Sequence, residues 1–127
     1  MNGFHHVAMK VFDFDKVVAF YTEGLGFEKG ISWGEGANRA VMIDVGGDCC
    51  LEIFAGGKQD ENAEATILHI AFKSSNCDDD LARAVKAGAV VEMDAESVDI
   101  PSNPIKPVRI AFCKGLGGEI IEFFEEK

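Results

Sequence analysis

Two histidines and two glutamates occupy matching places in two pairs of similar apolar segments. The segments "HVAMK" and "HIAFK" each begin with a histidine, and the segments "CLEIF" and "IIEFF" each have a glutamate at their centre. These four residues are His6, His69, Glu52 and Glu122. Imidazole nitrogens and carboxylate oxygens are common ligands of divalent metal ions. The repeated pattern therefore indicates a candidate metal centre.

All four segments are predicted strands, in which side chains alternate between the two faces of a sheet. The alternation places His6 on one face together with Phe4, Ala8 and Lys10. His5 falls on the opposite face, where a helix would pack, and we expect it to be structural. The four candidate ligands then share the face that lies away from the helices.

A buried carboxylate without a partner is unfavourable, and burial pushes it towards its neutral form. A divalent ion would neutralise both glutamates and bind both imidazoles, with positions left for water or substrate, as in catalytic sites. Two nitrogen and two oxygen ligands suit Ni²⁺ or Zn²⁺ foremost and also Co²⁺ or Mn²⁺. Two alternatives stay open: ordinary buried histidines, and ion pairs of the glutamates with histidine or with Lys10 and Lys73.

The elements that must position these residues form an internal repeat. The 127 residues fit one domain, residues 1–127. A βαβββ module is predicted at 4–55 and a second at 67–126, joined by a polar linker at 56–66, with the helices at 13–26 and 77–89. Residues 95–107 contain all three prolines and are predicted to form an irregular loop. The predicted fold class is α+β, with the two modules in tandem forming one cupped mixed sheet.

Composition excludes several classes of function. A net charge of −10 argues against nucleic-acid binding and against binding to anionic membranes. No apolar run approaches the ~20 residues of a membrane span, and the N-terminus lacks the pattern of a signal peptide, so the expected location is the cytoplasm. The four cysteines form no CxxC motif and are predicted to be reduced, mostly buried thiols.

Four segments resemble the vicinal oxygen chelate superfamily. This group includes glyoxalase I, fosfomycin-resistance proteins, extradiol dioxygenases, methylmalonyl-CoA epimerase and bleomycin-binding proteins. The resemblance covers nearly the whole chain and implies paired βαβββ modules around a metal. The segments are "HHVAMKVFDFDKVVAFYTEGLGFE" (5–28), "CLEIF" (50–54), "LHIAFKSSN" (68–76) and "GGEIIEFFE" (117–125).

Within the superfamily, the ligand set is similar to that of glyoxalase I, whereas epimerase-like sites tend to have glutamine at the position of Glu52. The resemblance implies a metal-dependent lyase that converts the hemithioacetal of methylglyoxal and a thiol into a lactoyl thioester. Glu122 would be the favoured base, with Glu52 a permanent ligand and the alternative base. Lys10 stands where glutathione-using members usually carry arginine, and is predicted to bind substrate.

Two other functions stay open at this stage. One is another metalloenzyme of the same superfamily, an epimerase or a thiol transferase. The other is a non-catalytic protein that binds a small molecule. The resemblance also implies a homodimer whose sites are built between the two chains.

Overall fold

The fold was analysed in a computed structural model, which describes residues 1–59, 66–116 and 119–127. The described residues form one eight-stranded sheet and two α-helices. In chain order the elements are β1 (Phe4–Lys10), α1 (Phe14–Ala19), β2 (Glu28–Trp33), β3 (Ala40–Gly46), β4 (Cys49–Phe54), β5 (Thr66–Lys73), α2 (Cys77–Lys86), β6 (Val90–Ile100), β7 (Lys106–Lys114) and β8 (Ile120–Glu126).

The order of strands across the sheet is β2-β3-β4-β1-β5-β8-β7-β6. In each half the first strand pairs in parallel with the last, β1 with β4 and β5 with β8. The two halves join through the antiparallel pair β1–β5. The predicted α+β fold, with two βαβββ modules in one mixed sheet, is confirmed, whereas the domain limits 1–127 stay a prediction.

Each helix begins at a side chain that caps it. The carboxylate of Asp13 accepts a hydrogen bond from the Lys16 N–H at the start of α1, and the Asn76 side chain accepts one from the Asp79 N–H at the start of α2. The α-helix α1 is shorter than predicted, because it passes into a π-helical turn at Phe20–Gly24.

The two helices pack on the same face of the sheet, each over its own module. The core under α1 contains Phe14 and Val18 of the helix together with Val41, Ile43 and Ile53 of the strands. The core under α2 contains Cys77, Leu81, Ala111, Cys113 and Phe123. Burial of these apolar side chains supplies the main stabilisation of both modules.

A third apolar cluster lies on the opposite face and shows that the sheet is curled. Its buried members are Met42, Ala71, Val108 and Phe124. Partly buried side chains of both edge strands pack against it, Ile31 and Trp33 from β2 and Val98 and Ile100 from β6. Because the two edges of the sheet meet in one cluster, this face is concave, and it is called the concave face below.

The predicted irregular loop at 95–107 is wrong over most of its length. Strand β6 continues to Ile100, and β7 begins at Lys106. Two of the prolines, Pro101 and Pro104, fall between the strands, and Pro107 lies near the start of β7, where proline is tolerated. Residues 60–65 of the predicted linker and residues 117–118 of the predicted turn before β8 lie outside the described residues.

The four cysteines are free thiols. Cys77 and Cys113 are fully buried, whereas Cys49 and Cys50 are partly exposed. Burial raises the pKa of the Cys77 thiol to about 11 and also raises the pKa of Cys113. These two thiols are protonated core side chains at neutral pH, as the sequence predicted. No helix among the described residues is long and apolar enough to cross a membrane.

Candidate metal centre

The four predicted ligands meet at one point on the concave face. The Nε2 atoms of His6 and His69 lie 3.0 Å apart. Each of these nitrogens is 2.9 Å from Oε2 of Glu122 and 3.4 Å from Oε1 of Glu52. The side chains come from β1, β5, β8 and β4, the four central strands of the sheet. The structure therefore brings together all four residues that the repeat singled out.

The spacing of three donor atoms, those of His6, His69 and Glu122, fits a single divalent ion. Donors about 2.1 Å from one ion lie about 3.0 Å apart at right angles and about 3.4 Å apart at the tetrahedral angle. The Nε2 atoms of His6 and His69 and Oε2 of Glu122 lie 2.9 to 3.0 Å from one another. Oε1 of Glu52 lies 3.4 Å from both nitrogens, but Glu52 is outside the group of donors that all lie within 4.8 Å of one another.

One buried carboxylate oxygen at this point faces two imidazole nitrogens. Oε2 of Glu122 is inaccessible to solvent and lies 2.9 Å from Nε2 of both His6 and His69, and no described residue has an assigned donor aligned on it. A buried carboxylate oxygen without a donor is unfavourable, and a cation is the partner that also satisfies the facing imidazole nitrogens. The set of nitrogen and oxygen donors and the buried Oε2 of Glu122 both fit a bound metal ion.

Burial and charge at the centre favour a bound cation. His6 is 1 % exposed, Glu52 5 % and Glu122 4 %. Burial acts to lower the pKa of His69, but its hydrogen bonds and charge interactions with Glu122 and Glu52 outweigh it and raise the pKa to about 9. Burial acts to raise the pKa of Glu122, and the two imidazoles outweigh it, so that this pKa is lowered. Without metal, a proton on His69 therefore supplies the positive charge that the carboxylates require.

His5 lies on the concave face, and its predicted place on the helix side is wrong. The pairing of β1 with β5 is irregular between Phe4, which lies opposite Phe72, and His6, which lies opposite Ala71. This β-bulge shifts the alternation of side chains by one residue. Phe4 consequently stacks on Phe72 with ring centroids 5.2 Å apart.

His5 contacts the candidate ligand next to it in the chain. Its Nδ1 lies 2.8 Å from Nδ1 of His6, and its Nε2 lies 3.1 Å from Oε1 of Glu126. The same oxygen of Glu126 is 2.9 Å from Nζ of Lys106. Burial lowers the pKa of His5, and its hydrogen bond to Glu126 offsets part of this effect. His5 was not predicted to lie at the site, because strict alternation separated it from His6. Glu126 was not predicted either, although alternation along β8 places it on the same face as Glu122.

A cavity of about 800 Å³ opens on the concave face beside these residues. Phe124 lines the cavity and packs its ring against the rings of both His5 and His6, whereas the four candidate ligands are not among the lining residues. The wall contains cations and anions as well as apolar and thiol groups. The lining residues are His5, Gly30, Ile31, Met42, Asp44, Asp48, Cys49, Cys50, Lys73, Ser74, Ser75, Lys106, Phe124, Glu125 and Glu126.

The lysine in the cavity wall is Lys73, the counterpart of Lys10 in the second module. Lys10 is exposed and does not line this cavity. The two lysines lie at opposite ends of the central strand pair, because β1 and β5 are antiparallel. The predicted role of Lys10 in substrate binding therefore has no support from the cavity.

The family model of the Glyoxalase/Bleomycin resistance protein/Dioxygenase superfamily matches residues 3–123. The chain belongs to this superfamily, the vicinal oxygen chelate group whose resemblance the sequence showed. No curated protein matches the chain by sequence.

Solved structures share the fold along nearly the whole chain. A hypothetical protein from Bacillus halodurans C-125 has a TM-score of 0.76 at 18% identity, over 99% of this chain and 95% of that chain. Methylmalonyl-CoA epimerase from Mycobacterium tuberculosis has a TM-score of 0.74 at 22% identity, over 98% and 88% of the two chains. A single-residue variant of the Streptomyces coelicolor epimerase, in complex with 2-nitronate-propionyl-CoA, has a TM-score of 0.76 at 22% identity, over 99% and 98%.

These findings correct two predictions. Several similar structures are methylmalonyl-CoA epimerases and favour that activity over the predicted one, so the assignment as a lyase of the glyoxalase I type is wrong. The prediction that the site is built between two chains is also wrong, because His6, Glu52, His69 and Glu122 meet within one chain. The ligand set was similar to that of glyoxalase I, but it did not determine the reaction.

Proposed function

We propose that the protein is a metal-dependent epimerase that acts on an acyl thioester, at the carbon next to the thioester carbonyl. The observation that carries the proposal is the convergence of two carboxylates, Glu52 and Glu122, with two imidazoles at one buried point. The fold is similar to that of epimerases solved with methylmalonyl-CoA and with 2-nitronate-propionyl-CoA. A coenzyme A thioester is therefore the substrate class to test first.

A proton on this carbon is weakly acidic, because its removal places negative charge on the carbonyl oxygen. A divalent ion, when bound, supplies a Lewis acid for that charge. His6 and His69 would hold the ion with the two glutamates, and their burial excludes water that would compete for the same positions.

Inversion at carbon requires a proton to leave one face and a proton to return to the other. Glu52 lies on β4 and Glu122 on β8, the strands that flank the central pair β1–β5 on its two sides. A substrate bound between them presents one face to each carboxylate. One glutamate, as the carboxylate, takes the proton, and the other, protonated at the start, gives its own proton to the opposite face. The two glutamates thereby exchange protonation states, which is general acid–base catalysis by two matched groups.

The residue at position 52 distinguishes this chain from epimerase-like members that tend to have glutamine there. A glutamine can bind a metal through its carbonyl oxygen but cannot take a proton. Glu52 can do both. We infer that the chain uses Glu122 and Glu52 as its pair of bases, with Glu122 closer to the imidazoles.

The substrate would lie on the concave face, in the cavity beside the centre. The cavity wall carries Lys73, which forms no ion pair among the described residues, and Lys106, which pairs with Glu126. Four acidic side chains also line it: Asp44, Asp48, Glu125 and Glu126. We infer that an acyl group and its thioester enter here, with Lys73 available to a single anionic group, while the phosphates of a coenzyme remain outside this acidic wall.

Two finer features belong to the same proposal. The mixed nitrogen and oxygen donors favour Ni²⁺ or Zn²⁺, with Co²⁺ and Mn²⁺ as further candidates. A homodimer would be an association of two chains that each contain a complete site. The mass of the metal-loaded protein in solution tests this association.

Exchange of the proton on this carbon tests the function directly. The protein is loaded with Zn²⁺ or Ni²⁺ and incubated in D₂O with one stereoisomer of methylmalonyl-CoA, and deuterium at C2 is followed by mass spectrometry. The expected result is deuterium uptake together with loss of stereochemical purity, both abolished by a chelator. Absence of uptake with every divalent ion, in protein that does bind the ion, would contradict the proposed reaction.

A further inference from the structure

We propose that His5 is a positioning residue that holds His6 in its metal-binding tautomer, and that Glu126 in turn orients His5. This inference rests on the metal centre of the proposed function. It concerns two side chains, His5 and Glu126, that the shared pattern of ligands does not include. The second module has no counterpart of His5, because Leu68 occupies the position before His69.

The direction of each hydrogen bond follows from which atom faces the metal centre. His6 presents Nε2 to His69, Glu52 and Glu122. If this nitrogen binds the ion, the ring proton must sit on Nδ1. That proton points at Nδ1 of His5, 2.8 Å away, which therefore accepts.

The tautomer of His5 follows from the same hydrogen bond. With Nδ1 acting as acceptor, the ring proton of His5 sits on Nε2. This N–H donates to Oε1 of Glu126 at 3.1 Å, and Nζ of Lys106 donates to the same oxygen at 2.9 Å. The reverse tautomer of His5 would place two N–H donors 2.8 Å apart and would remove the hydrogen bond from His5 to Glu126, which would then keep only Lys106. Glu126 therefore selects the tautomer of His5 that supports His6.

Packing holds the ring of His5 in this orientation. His5 is 7 % exposed, and its ring centroid lies 4.0 Å from that of Phe124. Its plane is nearly perpendicular to that of His6, at 85°. A ring fixed on one face by Phe124 and bonded at both nitrogens has no freedom to turn away.

The two candidate histidine ligands consequently differ in how firmly their rings are held. His6 is buried and its distal nitrogen is bonded, whereas the side chain of His69 is 12 % exposed and follows a leucine. Hydrogen bonds to the distal nitrogen orient a histidine ligand and raise its basicity, and their loss commonly costs about 10-fold to 100-fold in metal affinity. We infer that His6 is the fixed ligand of the pair and that His69 lies on the side open to solvent.

Two substitutions at one position separate this role from packing. His5→Phe keeps an aromatic ring against Phe124 but removes the acceptor, whereas His5→Asn keeps an acceptor oxygen near the place of Nδ1. Zn²⁺ affinity is measured by competition with a chromophoric chelator, in the absence of any substrate. The expected result is a loss of about 10-fold to 100-fold for His5→Phe and a much smaller loss for His5→Asn.

The tautomer of His6 supplies a readout that packing alone would not change. In the zinc-loaded wild type, ¹H–¹⁵N spectra should show a protonated Nδ1 that exchanges slowly with solvent, and in His5→Phe this proton should exchange faster. Glu126→Ala, a change at a more exposed side chain, should also weaken Zn²⁺ binding and speed the exchange. Melting curves of the metal-free variants show whether each one folds.

The outcomes distinguish this inference from the proposed function. If the wild type binds Zn²⁺ and both His5→Phe and Glu126→Ala bind it equally well with unchanged exchange, the positioning role is overturned and the metal centre stands. If the wild type itself binds no divalent ion, the metal centre fails and the inference fails with it.

Discussion

Glu52 and Glu122 reach the same two imidazole nitrogens from opposite sides of the central strand pair. Oε2 of Glu122 lies 2.9 Å from Nε2 of both His6 and His69, and Oε1 of Glu52 lies 3.4 Å from both. The glutamates occupy equivalent strands of a repeated module, and the difference between 3.4 and 2.9 Å is the departure of this site from exact two-fold symmetry. The repeat of the chain thus places one carboxylate on each side of the site.

Glu122→Gln should separate metal binding from proton transfer. Glutamine keeps a carbonyl oxygen for the ion but cannot take a proton, so inversion should fall by about 10²-fold or more, while most of the Zn²⁺ is retained. Inversion, isotope exchange and bound metal are measured on the same sample.

Glu52→Gln is the matched control, because it makes the same change on the other side of the centre. It should reduce inversion more than exchange, since one base then remains for removal and return of the proton on one face. Unchanged inversion in both variants would exclude the glutamates as the pair of bases.

Metal binding should release a proton. The pKa of His69 is raised to about 9 in the metal-free protein, so this imidazole is protonated at about pH 7.5 and must lose its proton to bind an ion. The apparent affinity for Zn²⁺ should therefore rise with pH up to about 9, as the group titrates.

Calorimetry in buffers of different ionisation enthalpy measures the release. About one proton per ion is expected at about pH 7.5. His69→Gln removes the titrating group and serves as the control. Binding without net proton release would contradict the protonated state of His69.

The stability of the metal-free protein should also depend on the protonation of His69, but it should fall as the pH rises, whereas the affinity for Zn²⁺ should increase. A folded-state pKa near 9, above the unfolded value of 6.5, means that the folded form binds this proton more tightly. The resulting stabilisation is fully present below pH 6.5 and is lost as the pH rises to about 9.

Melting temperatures of the chelator-treated protein across this pH range provide the test. They should fall between pH 6.5 and 9 in the wild type and fall less in His69→Gln. A melting temperature of the wild type that does not change over this pH range would show that His69 does not carry the proton that stabilises the folded form.

Lys73→Ala should weaken the binding of a substrate that carries an anionic group in its acyl part. The lysine lines the cavity beside the centre, and loss of one partly exposed charge pair is expected to raise KM by about fivefold. Lys10→Ala is the control, since Lys10 lies at the other end of the central strand pair. A larger effect of Lys10 than of Lys73 would place the substrate at that other end.

Much of the fold could be predicted because the repeat is visible in short segments. Equivalent strands carry equivalent residues, so "HVAMK" and "HIAFK" indicated both the modules and the two candidate histidine ligands. The length of β6 was also accessible in principle, since Val98 and Ile100 continue an alternating pattern. The three nearby prolines obscured that pattern.

The environment of His6 could not be predicted, for a reason of geometry. A single bulge in β1 reverses the face of His5, and the bulge depends on the pairing of β1 with β5, about sixty residues away in the chain. The choice between Lys10 and Lys73 likewise depends on the antiparallel direction of that pair. The reaction was mistaken because one set of ligands serves several chemistries on this fold.

The location of the bound ion tests the central claim most directly. A crystal structure of the zinc-loaded protein, with anomalous data collected at the zinc edge, should show one strong peak between His6, His69, Glu52 and Glu122. Metal–ligand distances of about 2.0–2.2 Å are expected for these nitrogen and oxygen donors. A fully loaded protein with its zinc elsewhere, or with this point filled by a proton-mediated pair of His69 and Glu122, would contradict the account.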